Sequence, residues 1–332
     1  MPIISNQSDH TMPDLLLHVG PPKTGTSAIQ DCLHANRITL LKQGYLYPNT
    51  GLWADHSHHQ IGFSILGRKT YGQTTIRSFD SLLASLHEEI STHPHIHTVI
   101  ISSEILSNAV WSKDKDALKA LLNSFETTNL LYSVRRQDIL LESLYKQQIK
   151  DTVAQKTETP TMYYERSKNW FSFRRIFNGW SKIVSENHFH FTVYANRGAE
   201  NNANNFIDEI TKITGHPLKI QTSSKTMNSS LNGEGVELKW AINKRGFSEE
   251  KNDSFLKFLF ENIDCKHPIQ IFLPWQREAI LDTNFQGNMW MTKMFPDKPW
   301  RHFWNIAPRG RLFTEPKSHR ISAVLSAFED RE

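Results

Sequence analysis

Short apolar runs alternate with amphipathic helical patterns along the first 134 residues of this chain. The runs predict buried strands at residues 15–19, 99–103 and 130–134, and the stretches between them carry apolar residues at helical spacing. Parallel strands need a crossover connection, and a helix is the usual one. The alternation therefore predicts an α/β fold of three layers, in which helices flank a central parallel sheet.

The remainder of the chain turns mostly helical. Residues 150–161 are polar and predict a loop, residues 189–194 alternate as a strand does, and residues 206–213 predict a helix closed by Gly215. The last third is rich in tryptophan and weakly periodic. We expect one domain over residues 1–332, with a disordered lead at 1–13, an α/β core at 14–215 and a helical part at 216–332.

Composition and charge exclude several classes of protein. The 332 residues include 38 Lys and Arg against 34 Asp and Glu, and 38% are hydrophobic, so the chain can build a core and is not disordered. This small positive excess, without a basic stripe, argues against nucleic-acid binding. No apolar run approaches the ~18 residues of a membrane span. The N-terminus lacks a secretory pattern and Cys32 and Cys265 make no disulfide framework, so we expect a cytoplasmic protein.

One loop carries the strongest chemical signal. It lies between the first predicted strand and the helix that follows, and it reads Gly20-Pro21-Pro22-Lys23-Thr24-Gly25-Thr26-Ser27. A loop in this position presents backbone N–H groups and the positive end of a helix to one point, which favours a bound anion. A Walker A loop requires Lys directly after its second glycine, whereas here the lysine precedes that glycine by two residues. The sequence therefore predicts a P-loop-like phosphate site of another type.

This loop resembles the 5′-phosphosulfate loop of sulfotransferases, which use 3′-phosphoadenosine 5′-phosphosulfate (PAPS). In that family an arginine at the end of a strand and a serine eight residues later bind the 3′-phosphate, and Arg135 and Ser143 have this spacing. Residues 102–104 (Ser-Ser-Glu) and 44–48 (Gly-Tyr-Leu-Tyr-Pro) are similar to those of bacterial carbohydrate sulfotransferases. The likeness is good over residues 15–48 and 99–151, fair to about residue 246, and poor beyond.

The resemblance implies a single sulfotransferase domain that transfers a sulfuryl group from PAPS to a hydroxyl of a carbohydrate acceptor and releases 3′-phosphoadenosine 5′-phosphate (PAP). It implies that residues 14–215 bind the nucleotide, that residues 216–332 form the acceptor side, and that no metal is required. Lys23 would stabilise the leaving phosphate oxygen. Arg309-Gly310-Arg311 resembles the basic glycine loop that closes over the 3′-phosphate, and residues 228–231 resemble a family turn. The implied nucleotide-binding residues are Pro22, Lys23, Thr24, Gly25, Thr26, Ser27, Arg135, Ser143 and Arg309.

The residue that takes the proton from the acceptor hydroxyl stays open at this point. His59 and His58 are candidates, because a histidine near its ordinary pKa suits general-base work at neutral pH. Glu104, at the end of the second predicted strand, is the other candidate. A zinc site at the same histidines is a weaker interpretation, because no cysteine or HExxH partner accompanies them.

Several alternatives accompany this reading. The acceptor is a carbohydrate or glycan, or else a small lipid or phenolic molecule. Peripheral contact with a membrane is compatible with the sequence. A nucleotide-dependent kinase is disfavoured by the position of Lys23, and a non-catalytic nucleotide-binding protein is a further alternative. The aromatic stretch of Tyr163, Tyr164 and Trp170, with Arg166 and Arg174, predicts core, and an acceptor groove is the alternative. The oligomeric state is left open.

Overall fold

A computed structural model describes residues 12–194, 199–222, 231–263, 265 and 267–331. The chain forms two compact units, and each unit is made of two separate segments of the sequence. The first unit comprises residues 1–134 and 176–227, and the second comprises residues 135–175 and 228–332. These boundaries differ from the predicted division at residue 215, because residues 135–175 group with the C-terminal part. That both units together form one sulfotransferase domain stays a prediction.

The first unit is built on a parallel sheet, as the alternation of strands and helices predicted. The strands of this unit are β1 (Asp14–Val19), β2 (Tyr45–Leu46), β3 (Thr70–Tyr71), β4 (Thr74–Thr75), β5 (Thr98–Ser102), β6 (Thr128–Val134) and β7 (Phe189–Val193). The sheet has the order β2-β5-β1-β6-β7, and each pair in it is parallel. Strands β3 and β4 form a separate antiparallel pair.

The three central strands β5, β1 and β6 are buried along nearly their whole length, which explains their continuous apolar sequences. His18 is the polar residue inside β1, and it is fully buried. Its Nδ1 lies 2.8 Å from the Ser102 hydroxyl on β5, and its Nε2 lies 2.8 Å from the Ser133 hydroxyl on β6. Burial lowers the pKa of His18 to about 3. A neutral imidazole therefore links the carboxyl ends of the three strands.

Helices flank this sheet, which confirms the α/β fold. Those of the first unit are α1 (Thr26–Ala35), α2 (Arg37–Lys42), α3 (His59–Ile65), α4 (Phe79–Ser91), α5 (Asp116–Leu122) and α9 (Ala199–Thr214), with a 3-10 helix over Glu104–Trp111. Apolar residues recur at helical spacing from Ile29 to Leu41, but the structure divides this stretch into two helices at Asn36, whose side-chain amide donates to the Cys32 carbonyl (2.8 Å). Ile38 is consequently 76% exposed instead of facing the core.

The second unit is mostly helical. Its helices are α6 (Gln137–Lys150), α7 (Pro160–Ser167), α10 (Gly233–Asn243), α11 (Glu249–Asn262), α12 (Pro274–Thr283), α13 (Phe285–Met294), α14 (Trp300–Trp304) and α15 (Ser318–Glu329). Helix α8 (Phe173–Trp180) spans the boundary between the two units in the sequence. A short parallel pair, β8 (Ile269–Gln270) and β9 (Arg311–Leu312), lies in the second unit. The apolar core of this unit gathers side chains from α6, α7, α10, α11 and α15. No helix in the described ranges has both the length and the apolar character needed to cross a bilayer.

Candidate functional site

The loop of residues 20–27 joins the carboxyl end of β1 to the start of α1. Thr24 is buried, and its hydroxyl donates to the Pro21 carbonyl (2.8 Å), which closes the loop on itself. Helix α1 has no acidic residue in its first turn, and Gly25, at its N-cap, supplies no side chain to bind the helix amides. The first amides of α1 therefore present positive charge that no residue of the first turn neutralises.

The backbone of this loop is held in an unusual conformation. Lys23 has φ 71° and Gly25 has φ 83°, so both lie in the left-handed region. A non-glycine residue there is uncommon, and such strain clusters at binding sites. A Cβ on Gly25 would lie 2.7 Å from ring carbons of Tyr194, so position 25 requires glycine for space as well as for conformation. Alternation of right-handed and left-handed residues is the backbone pattern that turns neighbouring N–H groups toward one point in anion-binding loops.

Glu104 is tied to this loop. The Thr26 hydroxyl, at the first position of α1, donates to Oε1 of Glu104, and the side-chain amide of Gln30 donates to Oε2 (3.2 Å). The Glu104 side chain is only 12% exposed. Gln30 also donates to the Ser102 hydroxyl (3.2 Å), so the buried polar contacts of β1 and β5 extend to the loop. The structure thus places a carboxylate candidate base directly against the predicted phosphosulfate loop.

His59 lies beside the same carboxylate. Its Nε2 is 3.5 Å from Oε2 of Glu104 and 3.6 Å from Oδ2 of Asp55, and its Nδ1 is 2.8 Å from the Ser103 hydroxyl. A nitrogen lone pair that faced two carboxylates would be repelled, so the geometry favours a hydrogen on Nε2. With Nε2 protonated, a neutral His59 accepts from Ser103 and has no lone pair left for an acceptor hydroxyl.

His58 is placed differently from its neighbour. It is fully buried, its Nε2 donates to the Pro48 carbonyl (3.0 Å), and its Nδ1 accepts from the Ser102 amide (3.1 Å). Burial lowers the pKa of His58 to about 4, against smaller opposing effects of those two backbone hydrogen bonds. Both ring nitrogens are therefore committed to backbone groups, and the geometry favours Glu104 and His59 over His58 as groups that meet a substrate.

The second unit contains the arginine and serine predicted to bind a 3′-phosphate. Arg135 follows the last residue of β6 directly and is partly exposed, and Ser143 lies in the second turn of α6 and is also partly exposed. The adjacent Arg136 is buried instead. Its Nε and a terminal nitrogen donate to Asp138 (2.7 and 2.9 Å), and the other terminal nitrogen donates to the Trp304 carbonyl (2.7 Å). Arg136 thus has a structural ion pair, which the sequence did not distinguish from a ligand contact.

Arg309, the remaining predicted nucleotide contact, lies on an exposed loop of the second unit before β9. A Cβ on the next residue, Gly310, would lie 1.8 Å from the Pro268 carbonyl oxygen, so this loop is pressed against the chain that leads into β8. The Arg311 guanidinium pairs with the buried carboxylate of Glu237. Arg311 is therefore held by the protein itself, whereas Arg309 projects toward solvent. Residues 228–230 of the predicted family turn lie outside the described residues.

Sequence reasoning missed three residues of the Glu104 environment. Gln30, Ser103 and Asp55 contact or approach the candidate base groups, yet none was assigned a role. One signal was present for Gln30, because it is a polar residue on the apolar face that α1 buries. Ser103 lies in the Ser-Ser-Glu run that carries part of the resemblance, whereas nothing singled out Asp55, since aspartate is ordinary in loops. The aromatic residues Tyr163 and Tyr164 are buried, as expected of core, while Trp170 is 41% exposed.

The chain matches no model of a known protein family, and it matches no curated protein.

Proposed function

We propose that this protein is a sulfotransferase that moves a sulfuryl group from PAPS to a hydroxyl of a carbohydrate acceptor. The observation that carries the proposal is the hydrogen bond between Thr26 and Glu104. It joins an anion-binding loop to a carboxylate, and such a pairing suits a reaction that needs a leaving phosphate and a base close together.

The residues of the loop suit the donor. Backbone amides of residues 23–27 and the start of α1 would bind the 5′-phosphosulfate, with the Ser27 hydroxyl, which is exposed, as a further donor. Lys23 would stabilise the phosphate oxygen on which negative charge develops. The Thr26 hydroxyl hydrogen is occupied by Glu104, so Thr26 would contribute its backbone amide rather than its side chain.

In the proposed reaction Glu104 removes the proton from the acceptor hydroxyl. A bond forms between the acceptor oxygen and sulfur, while the bond between sulfur and the 5′-phosphate oxygen breaks and its electron pair leaves on that phosphate, which yields PAP. A carboxylate has about four lone-pair sites. Thr26, Gln30 and His59 face Glu104 as donors, which leaves acceptor capacity for the substrate hydroxyl. His59 faces this carboxylate with Nε2 and orients it.

For Arg135, Ser143 and Arg309 we retain the role that the resemblance implies, contact with the 3′-phosphate. A guanidinium matches a phosphate dianion in shape and charge, and both the partly exposed Arg135 and the exposed Arg309 are accessible to a ligand. This phosphate distinguishes PAPS from ATP, so it supplies the sharpest test of the proposal.

The test is a thermal-shift titration with PAP and with ATP, each with and without Mg²⁺, since a ligand that binds only the folded state raises its melting temperature. We expect PAP to stabilise the protein without Mg²⁺ and ATP to have a much smaller effect. Stabilisation by ATP that depends on Mg²⁺ would overturn the proposal in favour of a kinase.

A variant refines the same titration. Arg135→Gln should weaken PAP binding more than it weakens binding of adenosine 5′-phosphosulfate, which lacks the 3′-phosphate. Arg301→Gln, at an exposed arginine of α14, is the matched control and should bind both nucleotides as the native chain does. Equal losses for the two nucleotides in Arg135→Gln would refute the 3′-phosphate assignment. An acceptor screen with radiolabelled PAPS, which includes glycans, phenols and lipids, then decides the acceptor class.

A further inference from the structure

Two histidines stack against each other beside the candidate site. His34 lies on α1, the helix that begins at the phosphate loop, and His56 lies in the loop that leads to His59. Their ring centroids are 3.9 Å apart and their planes differ by 7°. Nδ1 of His56 also lies 2.7 Å from Oδ1 of Asp31, one turn before His34 on the same helix. Asp31, His34 and His56 form a contact that we name the His56 clamp.

The clamp holds His56 in a costly backbone conformation. Its φ is 63°, in the left-handed region, which a non-glycine residue occupies only when its surroundings impose it. The Tyr47 hydroxyl donates to the His56 carbonyl (2.7 Å), and Tyr47 is itself buried in the core. The ring and the carbonyl of His56 are therefore both fixed, by α1 on one side and by Tyr47 on the other.

The conformation of His56 determines where its neighbours lie. Asp55 and Ser57, on either side of it, are joined by a hydrogen bond from the Ser57 hydroxyl to Oδ1 of Asp55 (2.5 Å). The other Asp55 oxygen, Oδ2, is the one that lies 3.6 Å from Nε2 of His59. Fixing His56 thus fixes the carboxylate that, together with Glu104, sets the orientation and the hydrogen of His59.

We propose that Asp31 and His56 are positioning residues, which hold the loop of residues 53–59 against the phosphate-loop helix, and that protonation of His34 releases this loop. The positioning of His59 matters for catalysis only if the proposed function is correct. The clamp and its release are properties of the folded chain and do not depend on that function.

Charge repulsion explains why protonation of His34 would open the clamp. Oδ1 of Asp31 lies 2.7 Å from Nδ1 of His56, so this carboxylate stabilises a positive charge on the His56 ring. A second positive ring stacked on the first would be repelled, and Arg37 on α2 adds to that repulsion while Asp31 opposes it. Nδ1 of His34 is buried and has no hydrogen-bond partner among the residues that the structure describes, so a proton placed there would be unsatisfied. Consistently, burial first and the charge of His56 second lower the pKa of His34.

Amide hydrogen exchange of residues 53–59 in the full chain tests this proposal. Rates are compared at about pH 8 and about pH 5, the range over which histidine titrates, and corrected for the intrinsic pH dependence of exchange. In the native chain we expect the protection of this loop to fall about tenfold or more on acidification, because the opened loop binds protons more tightly than the clamped one. His34→Phe keeps an aromatic ring in the stack but cannot be protonated, so acidification should reduce the protection of its loop about tenfold less than in the native chain, and the loss that remains is the one that the buried His58 imposes.

Two further variants make the test specific. His87→Phe, at an exposed histidine of α4, is the matched control and should respond to pH as the native chain does. Asp31→Asn should increase the amide exchange rates of residues 53–59 at both pH values, because it removes the negative charge that binds His56. If His34→Phe does not fold, His34→Gln takes its place, as a neutral side chain of similar length.

The proposal is overturned if His34→Phe loses protection at low pH as the native chain does, or if Asp31→Asn keeps native protection. Turnover supplies a separate readout. Asp31→Asn should lower kcat for sulfuryl transfer while leaving the Kd for PAP within about twofold, as a positioning role requires. If no sulfuryl transfer is found at all, the proposed function fails, yet the exchange rates still decide whether the clamp exists.

Discussion

The hydroxyl of Thr26 donates to the carboxylate of Glu104. Thr26 opens helix α1 and Glu104 follows the end of β5 by two residues, so this contact spans two neighbouring strands of the parallel sheet. In open α/β sheets, ligands bind beyond the carboxyl ends of the strands, and this contact lies at that edge. It couples the predicted phosphate-binding loop to the candidate base.

Replacing Thr26 by valine tests this coupling. Valine has nearly the same shape but no hydroxyl, and it leaves Glu104 without one of its donors. Because hydrogen bonds to charged groups contribute about 1.5–3 kcal/mol, we expect Thr26→Val to lower the free energy of unfolding by about that amount, measured by denaturant titration. Thr26→Ser retains the hydroxyl and should lose much less. Equal losses in the two variants would mean that the methyl group, and not the hydrogen bond, stabilises this site.

Glu104 and His59 can be separated as base and orienting group. General-base catalysis typically contributes about 10²- to 10⁴-fold to a rate, so Glu104→Gln should lower kcat by that factor if Glu104 takes the proton. His59→Gln should cost less, because the base itself remains. The measurement is kcat for formation of the sulfated acceptor, together with the Kd for PAP. Neither variant should change that Kd much. A larger loss of kcat in His59→Gln than in Glu104→Gln would reverse the assignment and make His59 the base.

Alanine substitutions at two glycines with similar backbone angles distinguish the cost of a steric clash from the cost of a left-handed backbone conformation. Gly25 and Gly67 have φ of 83° and 70°, but a Cβ would strike the Tyr194 ring at Gly25 and meet nothing within 4 Å at Gly67. Gly67→Ala should therefore lose only the left-handed penalty of about 1–2 kcal/mol. Gly25→Ala should lose more stability and also PAP binding, measured by denaturant titration and calorimetry. Undiminished PAP binding by Gly25→Ala would remove this loop from the nucleotide site.

The sheet and its edge were predictable because they depend on local patterns. Strands β1, β5 and β6 are buried on both faces, so each contains a short run of apolar residues, and helix α4 carries a regular apolar stripe. Helix α10 could not be predicted from the periodicity of its apolar residues, for a physical reason. Nearly all of its residues are buried, including Glu237 and Lys239, so it has no exposed polar face and no stripe.

The detail of the candidate site was less predictable than its position. The loop with Lys23 followed from residue types at fixed spacing, whereas the roles of His58 and His59 did not, since two adjacent histidines look alike in a sequence. They differ because β5 and the chain before α3 bury His58 and saturate its two nitrogens, while His59 turns toward Glu104. Tertiary contacts alone make that distinction.

The burial of His58 and His18 predicts how stability depends on pH. An unfolded chain protonates these rings near pH 6.5, but in the folded state burial lowers their pKa values to about 4 and about 3. Between those values the unfolded state binds more protons, so stability is retained above pH 6.5 and falls as the pH decreases toward the folded-state pKa. From pH 6.5 to about pH 5 each ring should cost about 2 kcal/mol of unfolding free energy.

Denaturant titrations at several pH values measure this slope. His58→Gln removes one titrating ring but keeps a donor and an acceptor, so its stability should fall by about 2 kcal/mol less than that of the native chain over the same interval. His87→Gln changes an exposed histidine and should leave the native slope unchanged. If His58→Gln shows the native slope, then His58 is protonated in the folded state near its ordinary pKa, and its hydrogen bonds to Pro48 and Ser102 cannot both exist as the structure has them, because an imidazolium Nδ1 cannot accept from an amide.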